Sequence, residues 1–340
     1  GKDKVEGLFT LLQNTTNGTT HLLIKDSQLD KEYIYFTYTI DGVVEAGHFR
    51  GNFRDTRIFT LRKHFDRIEF VAENTAFYFD ESSPLSRAAR ANISPAILAS
   101  QEIVAQEKEK GEYLIKADPI FLSEAFHQVK PSPDPDRKGR YFTLGNLSKD
   151  KSKYLDLRSY PENTDVLVEY VYDNAAPVVG GGAEITDARN VSIRMQHTLI
   201  RMPENGYKPR FDDPRVGYFM ERVTDLTSTS PTPYHDLVHR WHLVKKNPEA
   251  ELSEPVEPIV WWIENTTPVE IRPVIEKALL AWNEAFESAG FKKAIQVKVQ
   301  PDDADWDAGD IRYNVLRWTS SPNPPFGGYG PSFVNPRTGQ

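Results

Sequence analysis

The chain has 340 residues and a formal net charge of -8, and its Lys and Arg form no long basic run, which argues against a nucleic-acid partner because phosphate neutralisation needs clustered cations. No stretch approaches the ~20 consecutive apolar residues that cross a bilayer, so no membrane span is expected. Cysteine is absent, which excludes disulfides, thiolate metal sites and cysteine nucleophiles, while 39% hydrophobic residues allow real cores and 24 prolines favour a strand-rich, loop-rich chain over a helical bundle.

Residues 33–40 and 67–72 are aromatic and β-branched, and are predicted strands. Asn17-Gly18 and Asp41-Gly42 read as hairpin turns, so the start of the chain is expected to be an antiparallel meander. Residues 84–112 are richer in Ala, Gln, Glu and Lys, which predicts one or two helices interrupted at Pro95. Residues 131–138 form a polar, proline-rich loop. Strands are predicted at 165–172 and 191–202, with Gly180-Gly181-Gly182 as a flexible turn between them. Residues 227–233 have a linker composition of Ser, Thr and Pro.

The pattern changes after Pro258. The unbroken apolar run 259–263 suits a strand buried on both faces. A long helix follows, with Thr267 as N-cap, Pro268 next and Glu270 closing a capping box, although Pro273 shifts a regular start to residues 271–273. Ile271, Val274, Ile275, Ala278, Trp282, Ala285, Phe286 and Ala289 keep a helical period, and Gly290 is a left-handed cap. Strands at 294–299 and 311–318 complete a strand–helix–strand–loop–strand order, which predicts parallel pairing.

Three constellations carry candidate chemistry. His235 and His239 lie four apart, with His242 three further on, so on a helix the first two face one zinc. Asp236 stands where zincins carry the glutamate base, and residues 238–244 suit a strand, on which the two histidines lie ~13 Å apart. The strand reading is preferred, with His235, His239 and His242 as the alternative metal set. The acidic loop with Asp302, Asp303, Asp305, Asp307 and Asp310 lacks the turn glycine and closing glutamate of an EF-hand, and reads as a solvated loop. Residues 207–219 (YKPRFDDPRVGYF) place Arg210, Asp212, Asp213 and Arg215 among aromatics, either as a loop reaching a cleft or as ion pairs pinning a loop. No GxSxG, P-loop or dinucleotide fingerprint is present.

The run from His239 to Leu243 with Lys245 and Lys246, then SEPVEPIVWWIENTTP, AWNEAFESAGFKKAIQVK, DDADWDAGDIRYNVLRW and YGPSFVNPRTGQ, resembles a family of large bacterial secreted zinc metalloproteases. Their metzincin-like catalytic domain follows a long uncharacterised region, which YKPRFDDPRVGYF also resembles. The resemblance implies an α+β chain: a β-rich antiparallel N-terminal region, then the first half of a zincin-like mixed sheet with one long helix. The expected domains are residues 1–175 (β-rich), 176–250 (β-rich region and linker) and 256–340 (incomplete catalytic domain).

The family's HExxHxxGxxH helix is expected beyond Gln340, so no catalytic or zinc-binding residue transfers to this chain, and zinc is expected only in the full-length protein. Residues 327–335 are expected to be the edge strand that binds extended substrate by backbone pairing, with Gly327, Gly328, Tyr329, Gly330, Pro331 and Ser332 at the substrate. The implied partner is a peptide or protein, hydrolysed in the periplasm, at the outer surface or outside the cell. The alternative is a non-catalytic β-rich binding or scaffold protein.

Overall fold

The computed structural model describes residues 2–88, 91–132, 135–137, 139–322, 324 and 326–340. Strand makes up 36% and helix 10% of the chain, in keeping with the β-rich expectation. The chain divides into two compact units, residues 1–240 with 325–340, and residues 241–324. Among the described residues, no helix is long and apolar enough to cross a membrane.

The larger unit is built on one antiparallel sheet. In chain order its strands are β1 (Lys2–Val5), β2 (Thr10–Asn14), β3 (Thr20–Lys25), β4 (Glu32–Asp41), β5 (Phe53–His64), β6 (Arg67–Ala72), β7 (Phe77–Tyr78), β8 (Ala96–Glu107), β9 (Glu112–Lys116), β10 (Asn146–Leu147), β11 (Lys153–Ser159), β12 (Asn163–Asp173) and β13 (Asn190–Arg201). Apart from β7, they are ordered β1-β2-β3-β9-β8-β6-β5-β4-β13-β12-β10, with β11 on the remaining part of β12. The sheet curls around a single core, and its two ends meet where the Leu8 N–H donates to the Tyr160 carbonyl at 2.6 Å.

Alternation sets the inward face. On β4, Tyr33, Tyr35, Thr37 and Thr39 are all buried, and Thr37 is paired with Asp55 on β5 and His197 on β13. Between β9 and β10 the chain drops into the core as helix α1 (Asp118–Phe121) and the segment to Val129, burying Ile120, Phe121, Phe126 and Val129. Polar clasps hold this plug. Asp118 accepts from the Thr20 N–H and the Tyr154 hydroxyl, Glu124 from the Tyr172 hydroxyl and the Lys130 N–H, and the Val129 carbonyl from His48.

The helices expected at 84–112 are absent among the described residues. A short 3-10 turn occupies Pro84–Ala88, and β8 runs through the region as a twelve-residue strand paired with β6 and β9. Its Gln and Glu residues lie largely exposed, so a half-solvated strand imitated helix composition. Asp41-Gly42 is no tight hairpin either, because β4 and β5 are joined by residues 42–52, which include a 3-10 turn at Val44–Ala46. Asn17-Gly18 does turn between β2 and β3, with Gly18 left-handed at φ 76°. In the 131–138 loop, residues 133–134 and 138 lie outside the described residues, and Pro135–Arg137 is a 3-10 turn.

After β13 come short pairings, β14 (Met220–Glu221), β15 (Thr224–Asp225) and β16 (Leu237–Val238). β14 pairs with β16, and β15 runs parallel to β7. The strand expected over 238–244 is therefore confined to Leu237–Val238 at its start.

The smaller unit contains β17 (Ile259–Ile263), α2 (Arg272–Leu280), α3 (Trp282–Ser288), β18 (Ile295–Val299) and β19 (Asn314–Leu316). The three strands are parallel in the order β18-β17-β19. α2 and α3 form one 17-residue helical stretch, interrupted at Ala281. Regular helix starts at Arg272 with Pro273 in its first turn, so Thr267 is no N-cap. Gly290 closes it in left-handed geometry at φ 88°, and the Phe291 N–H folds back to the Phe286 carbonyl at 2.9 Å. β17 is buried at Ile259 and Ile263 but half-exposed between them, against the expectation of burial on both faces. β19 is shorter than expected because Asp310 gathers the Arg312 N–H and guanidinium and its carbonyl takes the Tyr313 N–H, holding residues 310–313 in a turn.

Candidate functional site

The loop at 207–219 is pinned by backbone bonds. The Val238 N–H donates to the Arg210 carbonyl at 2.8 Å, the Asp212 N–H to the Asp236 carbonyl at 2.9 Å, and Phe211 forms a bridge with Leu237. Arg215 makes a forked ion pair with Asp213 two residues away, and the hydrogen bonds from its guanidinium and its backbone N–H hold the Asp213 carboxyl below the usual range. That pair is local and exposed, and the Arg210 side chain is also exposed. Asp212 Oδ1 is buried with no hydrogen-bond partner among the described residues. Four residues that look like one cluster in sequence therefore do separate things.

The histidines are occupied by other partners. The His235 ring stacks on Tyr78 at 4.0 Å and 4°, and lies 4.3 Å from Phe211. Burial lowers its pKa against the pull of Asp225 and Asp236. His239 Nε2 is 2.9 Å from Glu221 Oε1 across the β14–β16 pair. His242 falls in the other compact unit. No group of three His, Asp or Glu able to hold a metal occurs among the described residues, and the acidic loop keeps Asp302, Asp303 and Asp305 exposed while Asp310 is buried on Arg312. Beside His235, a groove of about 440 Å³ is lined by Glu73, Phe77, Tyr78, Phe79, Glu81 and Arg337. Two of its charges are already paired, Glu73 with Arg62 and Arg337 with Glu32.

Residues 327–332 form no strand, which corrects the edge-strand expectation for Gly327, Gly328, Tyr329, Gly330, Pro331 and Ser332. A ladder needs a neighbouring backbone, and the three-stranded sheet consists of β17, β18 and β19 alone among the described residues. The six residues are exposed, have no backbone hydrogen-bond partner among the described residues, and belong to the larger unit. Aromatic rings flanking and within the segment pack on that unit: Phe333 stacks on Phe36 at 4.0 Å, and Phe326 and Tyr329 meet Phe49 edge-on at 4.8 and 5.0 Å.

A second polar cluster, not anticipated from sequence, lies inside the core. His197 Nδ1 and Nε2 are each 2.8 Å from a tyrosine hydroxyl, Tyr35 and Tyr170. Burial pushes His197 down to about 3, with His127 nearby adding to it. His48 is pushed down to about 4 by burial, against its bond to the Val129 carbonyl, with Arg54 and His127 lowering it further. His127 is itself nearly buried, with neither ring nitrogen hydrogen-bonded and Nδ1 3.7 Å from Asp55 Oδ2. The one sequence signal for this cluster was His197 sharing the inward face of an apolar strand with Met195 and Leu199. Enclosed as it is, the cluster is suited to fixing the plug rather than to meeting a substrate.

No curated protein and no solved structure matches the chain. Residues 53–246, more than half of the sequence, match a family described as a domain of unknown function, DUF5117. Its span starts on β5 and runs past β16, taking in the plug, His127, His197, His235 and His239. The chain belongs to the DUF5117 family.

Proposed function

We propose that the chain is the N-terminal part of a secreted, periplasmic or outer-surface zinc-dependent metalloendopeptidase, with the DUF5117 unit ahead of an incomplete metzincin-like catalytic domain. The observation that carries this reading is the smaller unit's layout. A strand, a 17-residue helical stretch and a parallel strand are followed by a third parallel strand on the other side of the first. Together with the sequence resemblance over 239–340, that order supports the opening of a zincin-type sheet.

The side chains present do not fit a zinc centre. His235 is stacked between rings, His239 is paired with Glu221, and no other grouping of three ligands occurs among the described residues. Zinc and its base belong, on this reading, to residues after Gln340, and no catalytic step is assigned to the present chain. Its contribution is the segment with Gly327, Gly328, Tyr329, Gly330, Pro331 and Ser332, whose exposed, unpaired backbone suits an extended peptide.

The test is zinc content together with cleavage of an unfolded protein, measured on this chain and on the chain with its encoded continuation. One zinc and peptidase activity in the longer form alone is the expected result. An inert longer form, or a natural stop at Gln340, leaves the reading of a non-catalytic β-rich binding or scaffold protein.

A further inference from the structure

The groove beside His235 has aromatic walls held from several sides. Phe77 and Tyr78 of β7 pair in parallel with Thr224 and Asp225 of β15. The Thr224 N–H donates to the Ala76 carbonyl at 2.9 Å, the Leu226 N–H to the Tyr78 carbonyl at 3.0 Å, and the Asp80 N–H to the Thr227 hydroxyl at 3.0 Å. Tyr78, His235 and Phe211 form a row of rings with centroids 4.0 and 4.3 Å apart. Yet these rings are not core residues. Tyr78 is 37% exposed, Phe211 52%, and Tyr234, bridged to Thr224, 75%. Rings that are fixed in place and left open to solvent together mark a surface that meets a ligand.

The charge beside the rings is negative. Asp80 accepts from the Ser82 N–H and hydroxyl, and Asp225 from the Thr227 and Ser228 N–H groups, so neutral donors leave both carboxylates their charge. Glu81 is exposed, and its carboxylate has no hydrogen-bond or ion-pair partner among the described residues. Partial burial, together with the charges of Asp80, Asp225 and Glu81, raises the Tyr78 hydroxyl above the ordinary tyrosine value. Arg337 at the groove is paired with Glu32, and Arg62 takes up Glu73. His235, lowered by burial, is neutral at pH 7.

Aromatic faces beside unpaired carboxylate charge suit a cation, and a guanidinium suits them best, because it stacks on a ring and forks to a carboxylate at once. The groove, at about 440 Å³, has room for such a side chain and its neighbours. The net charge of -8 draws a cationic partner from further away.

We propose that the groove formed by Phe77, Tyr78, Phe79 and Glu81 binds an arginine side chain of a peptide segment, with the guanidinium stacked on an aromatic ring and paired with Glu81. All four residues lie within the DUF5117 span, so this family's domain carries a ligand site of its own. Such binding goes beyond the protease reading and stands without it, because this chain alone holds every residue involved.

The test titrates this chain by calorimetry with the end-blocked peptide Gly-Leu-Arg-Leu-Gly and with its citrulline counterpart, which keeps the side chain's shape and lacks its charge. The arginine peptide binds at one site per chain, about tenfold more tightly than the citrulline peptide, and the difference shrinks at high salt. Glu81→Gln breaks no printed bond of the fold, so it leaves the melting temperature unchanged while weakening the arginine peptide about fivefold. Tyr78→Leu weakens both peptides. Glu249→Gln, an exposed carboxylate of the smaller unit, controls for unspecific attraction and leaves binding at the parent's value. Equal binding of the two peptides, or no saturable binding up to about 1 mM, overturns the site. Equal losses in Glu81→Gln and Glu249→Gln overturn it too, since net charge alone would then attract the peptide.

Discussion

Tyr170 and His197 are joined at 2.8 Å in the middle of the core, and their surroundings fix which one donates. The Tyr170 hydroxyl also reaches the Phe121 carbonyl at 2.7 Å and the Ser123 carbonyl at 3.0 Å, and carbonyls only accept. Its single proton goes to them, so its oxygen accepts from the His197 Nε2–H. Nδ1 is then the acceptor for the Tyr35 hydroxyl. The chain Tyr35, His197, Tyr170, Phe121 ties β4, β13 and β12 to the plug, and it needs His197 neutral.

Acid should therefore weaken the fold before most carboxylates titrate. His197 and His48 have folded-state pKa values of about 3 and about 4, below the ordinary histidine value of 6.5. Above pH 6.5 neither state carries the proton. As pH falls below it, the unfolded chain takes up protons that the folded chain refuses, so stability is lost from about pH 6.5 down to pH 4 and 3. The slope approaches roughly 1.4 kcal/mol per pH unit for each histidine. Urea unfolding at pH 7, 6 and 5 measures it, with His197→Gln reducing the slope. Equal stability at pH 7 and 5 would contradict neutral burial of both rings.

Removing the Tyr170 hydroxyl tests the plug directly. Tyr170→Phe leaves the buried Phe121 carbonyl, the part-buried Ser123 carbonyl and the His197 Nε2–H without this partner, which costs about 2–3 kcal/mol. Tyr33→Phe removes one part-buried bond of 3.2 Å to the Gln28 carbonyl and costs under about 1 kcal/mol. Comparing the two by denaturant unfolding checks the ranking, and a reversed order would remove the plug's polar clasp from the argument.

Three glycines separate close approach from backbone freedom. Gly42 is not left-handed, yet a Cβ there would sit 2.7 Å from the His48 Cβ and 3.1 Å from Ile193 Cδ1. Gly42→Ala is expected to cost about 1–3 kcal/mol by overpacking beside the buried histidine. Gly47, at φ 77° with open space around it, should lose about 1 kcal/mol as alanine, from backbone strain alone. Gly328→Ala has neither constraint and should leave the melting temperature unchanged. A large loss at Gly328 would show that residues 327–332 are packed rather than open.

How far the fold was readable follows from the range of its contacts. The smaller unit was legible because one apolar helical period and a closing glycine are local signals, and Ile259–Ile263, the helix and the flanking strands all appeared near their expected places. β8 was misread because its polar residues are the solvent face of a strand, which composition cannot tell from a helix. The contacts that define the candidate site were invisible for a different reason. Phe36 meets Phe333, and Glu32 meets Arg337, across hundreds of residues. Sequence marked the glycines of the segment but held no sign of the surface that fixes it.

Zinc uptake decides the remaining sequence motif. His235 would have to give up its stacking on Tyr78 and Phe211, and His239 its partner Glu221, before either could bind a metal. Two imidazoles without a third ligand hold zinc weakly in any case. This chain should bind less than stoichiometric zinc, and a chelator should leave its melting temperature unmoved, since a ligand that prefers the folded state would raise it. His239→Ala breaks only a partly exposed pair and should cost about 0.5 kcal/mol with no change in metal content. One tightly held zinc per chain, lost in His239→Ala, would instead mean that the β14–β16 region rearranges to build a site, and the zinc assigned to residues after Gln340 would need to be reconsidered.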